Sequence, residues 1–461
     1  MSDTREYRWD LWLIGALLVA AILRIGPAIL FEQMACVRDE CIYRSMAAKI
    51  VAGEGLTVSS KGWLTAPGYP YLLALMRTTT GGFFTVKVVN IALALINVGT
   101  VYEIAKRVAD LKTARVAVWL FAMHPTLAFF TQTMWIETIY IFFLLNAALA
   151  VLWARDKPWP YAGAAGLMLA CCILFRGVAT YLPPIFLVAL IWPDAGWTHG
   201  AALLDSVRRR WKHGAAMVLA TAIAVAPYSM YASSKHGGFV VSDATVGHVM
   251  FLGNNDYPPL TFDYGIGMLT SGIYRDYLQT GRRPCNRLAP PVQSSKCEVK
   301  ASVNWMTENP EKFARRVPVR LAQLFNPNSF LTRHIRWGYW SGYPWLFKEL
   351  TAAYIAAMSF FIVLFGTTTA FARARGPYAF IAVGTVLYTI AISGLTYGMT
   401  RFRLPLEPLW IIYVAMFLAD PRATLAALRG STPRAVGALL AIPPLTMLML
   451  WYLPTGFPRF W

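Results

Sequence analysis

Apolar stretches long enough to cross a bilayer recur from one end of this chain to the other, and that recurrence limits what it can fold into. By hydropathy they fall near 11–31, 84–104, 114–131, 136–153, 161–175, 178–193, 214–231, 347–366, 377–397, 404–419 and 435–453. A helix needs roughly 20 apolar residues to span about 30 Å of hydrocarbon, and in lipid its backbone groups must be satisfied internally. The expected fold is therefore all-α: a polytopic membrane protein with about 11 transmembrane helices. The stretches at 161–175 and 178–193 are short and read as one broken hairpin. Arg176-Gly177 stands at its tip, and Pro183-Pro184 bends its second arm. The first stretch, Leu11 to Phe31, has no small-residue cleavage site after it and reads as a retained helix.

Composition agrees. Hydrophobic residues make up 57% of the 461 and charged residues only 14%, about half the charged share of a soluble domain. The net charge of +19 would point to nucleic acid in a soluble chain, but no nucleic-acid module is present. Here topology explains it first, because cytoplasmic loops collect Lys and Arg. Arg5 and Arg8, Lys106 to Arg115, Arg155 and Lys157, Arg208 to Lys212, Arg373 and Arg375, and Arg422 to Arg434 all fall on one side if the helices alternate. That side is expected to be cytoplasmic. The opposite side then holds two large outer loops, 32–83 and 232–346, carrying surface helices and roofing a single membrane domain that spans 1–461. Within the second loop, 298–325 reads as an amphipathic helix along the membrane surface. Four of the six cysteines (Cys36, Cys41, Cys285 and Cys297) lie in these loops. An oxidising outer face permits disulfides there. Closure of Cys285 with Cys297 is the favoured pairing, with Cys36 and Cys41 free, although four reduced thiols fit the sequence equally well.

Ionisable residues crowd the outer side. Arg38-Asp39-Glu40 follows the first span, where Asp39 offers a general base and Glu40 an orienting partner. An ordinary polar boundary would look the same. Glu137 opens the fourth span, where a carboxylate also suits the helix dipole. Arg24 lies inside the first span, as an interfacial anchor or as a functional intramembrane charge. Lys61 is a cation within reach of a phosphate, and Pro67-Gly68-Tyr69-Pro70 reads mainly as a turn. Arg401 and Arg403 stand on the outer face, where short loops are poor in Lys and Arg, so a phosphate-binding role is favoured. Asn254 and Asn255 can bond sugar hydroxyls, although a plain turn explains them without further context. His124-Pro125 reads as a kink. No Walker loop, dinucleotide fingerprint or His-Glu-x-x-His is present, and the scattered histidines indicate no dedicated zinc site.

Taken in order, Arg24, Asp39-Glu40, Pro67-Gly68-Tyr69-Pro70, His124-Pro125 with Glu137, Gly253-Asn254-Asn255 and Arg401-Phe402-Arg403-Leu404-Pro405 resemble bacterial members of the GT-C superfamily of polyprenyl-phosphate-sugar-dependent glycosyltransferases. These are the aminoarabinose and mannose transferases related to protein O-mannosyltransferases. The resemblance covers about 24 to 408 and implies a catalytic Asp in the first outer loop, here Asp39, and a donor held by its phosphate at the outer membrane face.

The resulting expectation is an inverting glycosyltransferase of a bacterial inner membrane, active on its periplasmic or exterior side. Asp39, Glu40 and Glu137 would carry the chemistry. Arg401, Arg403, Lys61 and Arg24 would grip the donor phosphate, and Tyr69, Asn254 and Asn255 would contact substrate. The partners are the polyprenyl-phosphate sugar, a glycan, lipid or protein acceptor, and membrane lipids. No cofactor is required by this chemistry, and a divalent metal is left open. The rivals are a transporter or flippase of lipid-linked sugars and a polymerase or ligase using a diphosphate-linked donor. Transporters tend to show internal repeats and midplane sites, whereas here no repeat is found and the charges gather at one face.

Overall fold

The computed structural model describes residues 10–30, 36, 39–56, 64–80, 84–193, 200–256, 285, 289–327, 335 and 344–450. Among these there are helices and no strand. Eight of the described helical segments are long and apolar enough to cross a membrane, and the shorter Pro160–Phe175 and Gly177–Ile191 add a further pair. The chain is a multi-pass membrane protein.

Two of the long segments form the interior. Over their most apolar 18 residues, 83% are buried in Thr400–Ala419 and 78% in α7 (Glu137–Ala154), against 17% in the last segment, Thr432–Leu450. α7 packs between α4 (Phe84–Val108) and α8 (Pro160–Phe175). The interior part of Thr400–Ala419, α17 (Glu407–Ala419), packs against α5 (Leu111–Met123) and α14 (Trp345–Arg373). α1 (Leu11–Leu30) covers α4 and α5 from outside, and α10 (Gly200–Lys235) covers α8. The outer helices leave large apolar side chains such as Leu18, Ile22, Leu219 and Leu440 exposed, as a surface that meets hydrocarbon requires.

The basic residues of the short loops gather at one end of the bundle and tie helix ends together. Arg115 pairs with Asp10 at 2.9 Å, and Arg107 with Asp156 at 3.3 Å. Lys112 donates to the carbonyl of Ala419 at 2.5 Å. Arg155 donates to those of Ala189, Leu190 and Trp192. These are C-terminal carbonyls that no helix N–H can reach, so the cations also close the helix ends. Because Lys157 and Trp192 both lie at this end, α8 and α9 (Pro183–Ile191) run as a hairpin whose tip is Arg176 at the opposite end.

Three expectations are revised. The span read at 114–131 is broken: α5 stops at Met123, and α6 (Pro125–Phe130) begins after His124. Pro125 has no N–H to give the carbonyl of Phe121. The amphipathic helix read at 298–325 is two helices, α12 (Pro291–Glu308) and α13 (Pro310–Phe325), divided at Asn309-Pro310. Its face is not simply apolar, since Arg316 and Arg320 are buried. Both outer cysteine pairs are closed, Cys285–Cys297 and also Cys36–Cys41. The start of α2 (Asp39–Val51) brings Cys41 back to a Cα–Cα distance of 5.1 Å from Cys36, well inside disulfide range.

Candidate active site

α2 starts with Asp39 and Glu40 in its first turn, and the two carboxylates have different fates. Glu40 is buried and accepts from the backbone N–H of Met134 at 2.7 Å. It fastens α2 to the turn before α7. Asp39, one residue earlier, faces the other way. Its Oδ2 accepts from Arg401 Nη1 at 3.0 Å, while Oδ1 has no hydrogen bond among the described residues.

Arg401 lies on the one-turn helix α16 (Thr400–Arg403), at the outer end of the most buried span. Its Nε is 3.1 Å from Glu137 Oε1, and its plane sits over the Trp135 ring at 4.5 Å. Glu137 is fully buried as the first residue of α7. The same oxygen lies 3.9 Å from Arg176 Nη1. Arg176, at the tip of the α8–α9 hairpin, is held between the rings of Tyr140 and Phe402. Its Nη1 is buried without a hydrogen-bond partner among the described residues. Two guanidinium groups thus flank one carboxylate, and the second carboxylate, Asp39, closes the row.

Arg401 and Arg176 both line a cavity of about 230 Å³. Its other walls are mainly apolar and aromatic, with Tyr43, Tyr140, Tyr388 and Tyr397 bringing hydroxyls. Both outer segments reach it: Tyr43, Thr65 and Ala66 come from the first, and Asp243, Thr245 and Val249 from the second. Burial, with the Asp39 carboxylate beside it, pushes the Tyr43 phenol above its usual range. Burial does the same for Tyr397. Both hydroxyls therefore remain neutral donors near neutral pH. Such a site can hold an anion on its cations and still present a free carboxylate oxygen to a neighbouring hydroxyl. Among the described residues no group of three or more His, Cys, Asp or Glu is placed to hold a metal ion.

The structure thus brings Asp39, Glu137 and Arg401 together and places the other described sequence candidates elsewhere. Arg403 points away from the cavity into a sealed cluster. Its Nε donates to Glu407 at 2.9 Å, its Nη1 to the carbonyl of Asn326 and its Nη2 to Ser359. Arg24 is buried at the end of α5, where it donates to the carbonyls of Ala122 and Phe121. It supplies what the helix break at Pro125 removes. Asn254 donates to the carbonyls of Met250 and Leu395 and accepts from Arg320. Asn255 donates to the carbonyl of Phe251. Gly253 completes this lock, because a Cβ there would sit 1.9 Å from the carbonyl oxygen of Thr396. The Gly253-Asn254-Asn255 run therefore fixes Thr396 and Tyr397, which do line the cavity. Tyr69 is buried behind Tyr43, ring edge to ring face at 5.1 Å. Lys61 and Arg38 lie outside the described residues.

Two cavity residues were not singled out from the sequence. By sequence Arg176 marks only a hairpin tip, although an ionisable residue inside an apolar pair of segments is itself a functional signal. Asp243 sits in Val240-Val241-Ser242-Asp243-Ala244-Thr245, where nothing local distinguishes it from a turn residue.

Residues 65–231 match the family model described as dolichyl-phosphate-mannose-protein mannosyltransferase. No curated protein sequence matches the chain. The fold is similar to that of the oligosaccharyltransferase AglB from Archaeoglobus fulgidus, in complex with an inhibitory peptide and a dolichol-phosphate. That match has a TM-score of 0.52 at 17% identity, over 97% of this chain and 56% of that one. An Archaeoglobus fulgidus oligosaccharyltransferase tethered to an acceptor peptide through a disulfide bond gives 0.52 at 15% identity, over 95% and 54%. This chain thus spans little more than half the length of AglB. ArnT from Cupriavidus metallidurans, bound to undecaprenyl phosphate, matches at a TM-score of 0.41 and 13% identity, over 91% of this chain and 78% of that one. Along nearly its whole length this chain shares the fold of AglB, and its residues 65–231 match the mannosyltransferase family model.

Proposed function

We propose that the protein is an inverting membrane glycosyltransferase that moves a sugar from a polyprenyl-phosphate donor to a hydroxyl acceptor. The observation that carries this reading is the bond from Arg401, a cavity-lining cation, to Asp39, whose second oxygen has no hydrogen bond among the described residues. A base and a phosphate-binding group then stand at one site, as transfer from a sugar phosphate requires. The fold shared with AglB supports the same class of chemistry.

Arg401 and Arg176 hold the donor phosphate. Asp39 accepts the acceptor's hydroxyl proton as that oxygen bonds to the anomeric carbon from the face opposite the phosphate. The bond from the anomeric carbon to the phosphate oxygen breaks, and its electron pair leaves on polyprenyl phosphate. Charge grows on that phosphate in the transition state, so the guanidinium groups stabilise the transition state more than the ground state. Glu137 is a positioning residue that holds Arg401 and Arg176 in register. Glu40 anchors the helix that carries Asp39. The two outer segments roof the site, and the basic end of the bundle faces the cytoplasm. The reaction then takes place on the exterior side of a bacterial inner membrane.

The test uses purified protein in detergent with labelled undecaprenyl-phosphate sugars and an extract of envelope lipids, glycans and peptides. Sugar transfer without a sealed membrane supports the proposal. Movement of the labelled lipid across vesicles with no transfer in detergent would sink it in favour of a flippase.

A further inference from the structure

Asp243 is a carboxylate of the cavity wall for which the chemistry above has no use. It is built in with care. Its loop is pinned by the bond from Ala244 N to the carbonyl of Leu64 at 3.0 Å, and by Ser229 and Ser233 on Val240. The carboxylate accepts from the backbone N–H groups of Thr245 and Gly177 and from the Thr245 hydroxyl. Gly177 must be glycine for this approach, since a Cβ there would lie 2.0 Å from Asp243 Oδ2. Among the described residues no Lys, Arg or His forms an ion pair with it. Burial raises its pKa above the usual carboxylate value, which marks a group short of compensation.

An ionised carboxylate offers roughly four acceptor positions, and the Thr245 and Gly177 N–H groups with the Thr245 hydroxyl leave about one unfilled on a carboxylate that lines the cavity. Through Gly177 it is adjacent in sequence to Arg176, one of the cations assigned to the donor phosphate. The group that follows a phosphate in a sugar-phosphate lipid is the sugar, and its hydroxyls are the donors this carboxylate lacks. We infer that Asp243 is the specificity-determining residue for the donor sugar, accepting hydrogen bonds from its hydroxyls while Arg176 and Arg401 hold the phosphate. The inference rests on the transferase reading. It adds a prediction about binding that can be tested without turnover. A site built to bond a hydroxyl discriminates strongly against a ligand that lacks it, because its own polar group is then left unpaired.

The experiment measures binding of undecaprenyl phosphate, and of undecaprenyl phosphate bearing mannose, glucose or aminoarabinose, to the full-length protein in detergent by native mass spectrometry. The wild type should bind one sugar-bearing lipid at least tenfold more tightly than the bare lipid. Asp243→Asn should remove that preference and leave bare-lipid binding unchanged or tighter, since a negative charge has gone. Equal loss for all lipids would show that Asp243 only holds its loop, and would overturn the inference. Retained preference in the variant, or no preference in the wild type, would overturn it too. Failure of the transferase reading looks different: the binding preference depends on Asp243, yet no acceptor receives sugar.

Discussion

Two ion clusters built from the same residue types start from arginines only two positions apart, and they differ in what they leave unfinished. Around Arg403, every group is sealed: Arg403 and His124 are 1% exposed and Glu407 2%. Each nitrogen of the Arg403 guanidinium has a partner. His124 Nδ1 accepts from Leu127 N–H, so its proton sits on Nε2, 2.8 Å from Glu407. Around Arg401, the Asp39 Oδ1 and Arg176 Nη1 remain without hydrogen bonds among the described residues, and a cavity lies in front. Buried polar groups in a stable core are satisfied. The contact of His124 Nε2 with Glu407 Oε2 also falls outside hydrogen-bond geometry, so what separates the clusters is the cavity, which Arg401 and Arg176 line and which fits a ligand site. The first cluster holds helices together, and the second is available for chemistry.

The largest separation of the two should come from Asp39→Asn. Removing a general base costs about 10²–10⁴-fold in rate, and here donor binding and folding should persist because Arg401 keeps Glu137. Sugar transfer by purified variant and wild type, measured beside donor binding, checks this; full activity would remove Asp39 from the mechanism. Arg401→Gln should strike both functions. Losing one charge-stabilising donor costs roughly 10²–10³-fold in rate, and Glu137 is left as a buried charge with a weaker partner. The double variant Arg401→Gln with Glu137→Gln should regain thermal stability and remain inactive. Recovery of activity in the double variant would show that Arg401 only neutralises Glu137.

Arg403→Gln should behave in the opposite way. Breaking a buried pair by removing one partner costs about 3–5 kcal/mol, so detergent-solubilised protein should melt at lower temperature, while turnover per folded molecule stays near wild type. Replacing Arg403 and Glu407 together with methionine should recover much of that loss, since well-packed apolar residues can substitute for a buried pair. A folded Arg403→Gln protein with intact stability and no transfer would erase the distinction between the clusters.

Much of this was legible from residues alone. Span positions, the hairpin tip at Arg176, the collection of basic residues at one end and the approach of Asp39 to Arg401 all follow from hydropathy, charge and a family resemblance. Pairing Arg401 with Arg403 as a single phosphate grip had a physical flaw visible in the sequence. On a helix, residues two apart point about 200° away from each other, so only one can face the cavity. Arg24 was a genuine ambiguity. Its role as acceptor-filler for α5 depends on a break at Pro125 that a hydropathy window cannot locate. Asn254 and Asn255 looked like ligands because amides bond sugars, but Arg320 and the Leu395 carbonyl, both distant in the chain, claim them first. Asp243 was unreadable for the same reason: only tertiary structure places it against Gly177.

The smallest effect, and the one that asks what positions the open cluster, concerns Cys36–Cys41. This bridge closes over Asp39 and Glu40. In the chain-entropy view a loop this short contributes only about 2 kcal/mol. The Glu40 bond to Met134 and the Arg401 bond to Asp39 would still locate α2 without it. Cys36→Ser with Cys41→Ser should therefore lower turnover several-fold and melting temperature slightly. Cys285→Ser with Cys297→Ser should affect stability and leave turnover unchanged. A misplacement of about 1 Å in a reacting group can cost roughly 10²-fold, so the first double variant is a sensitive gauge. Should it fall as far as Asp39→Asn, the base is placed by the disulfide, and the bonds to Arg401 and Met134 merely accompany it. The open cluster would then depend on oxidation in a way the sealed cluster does not.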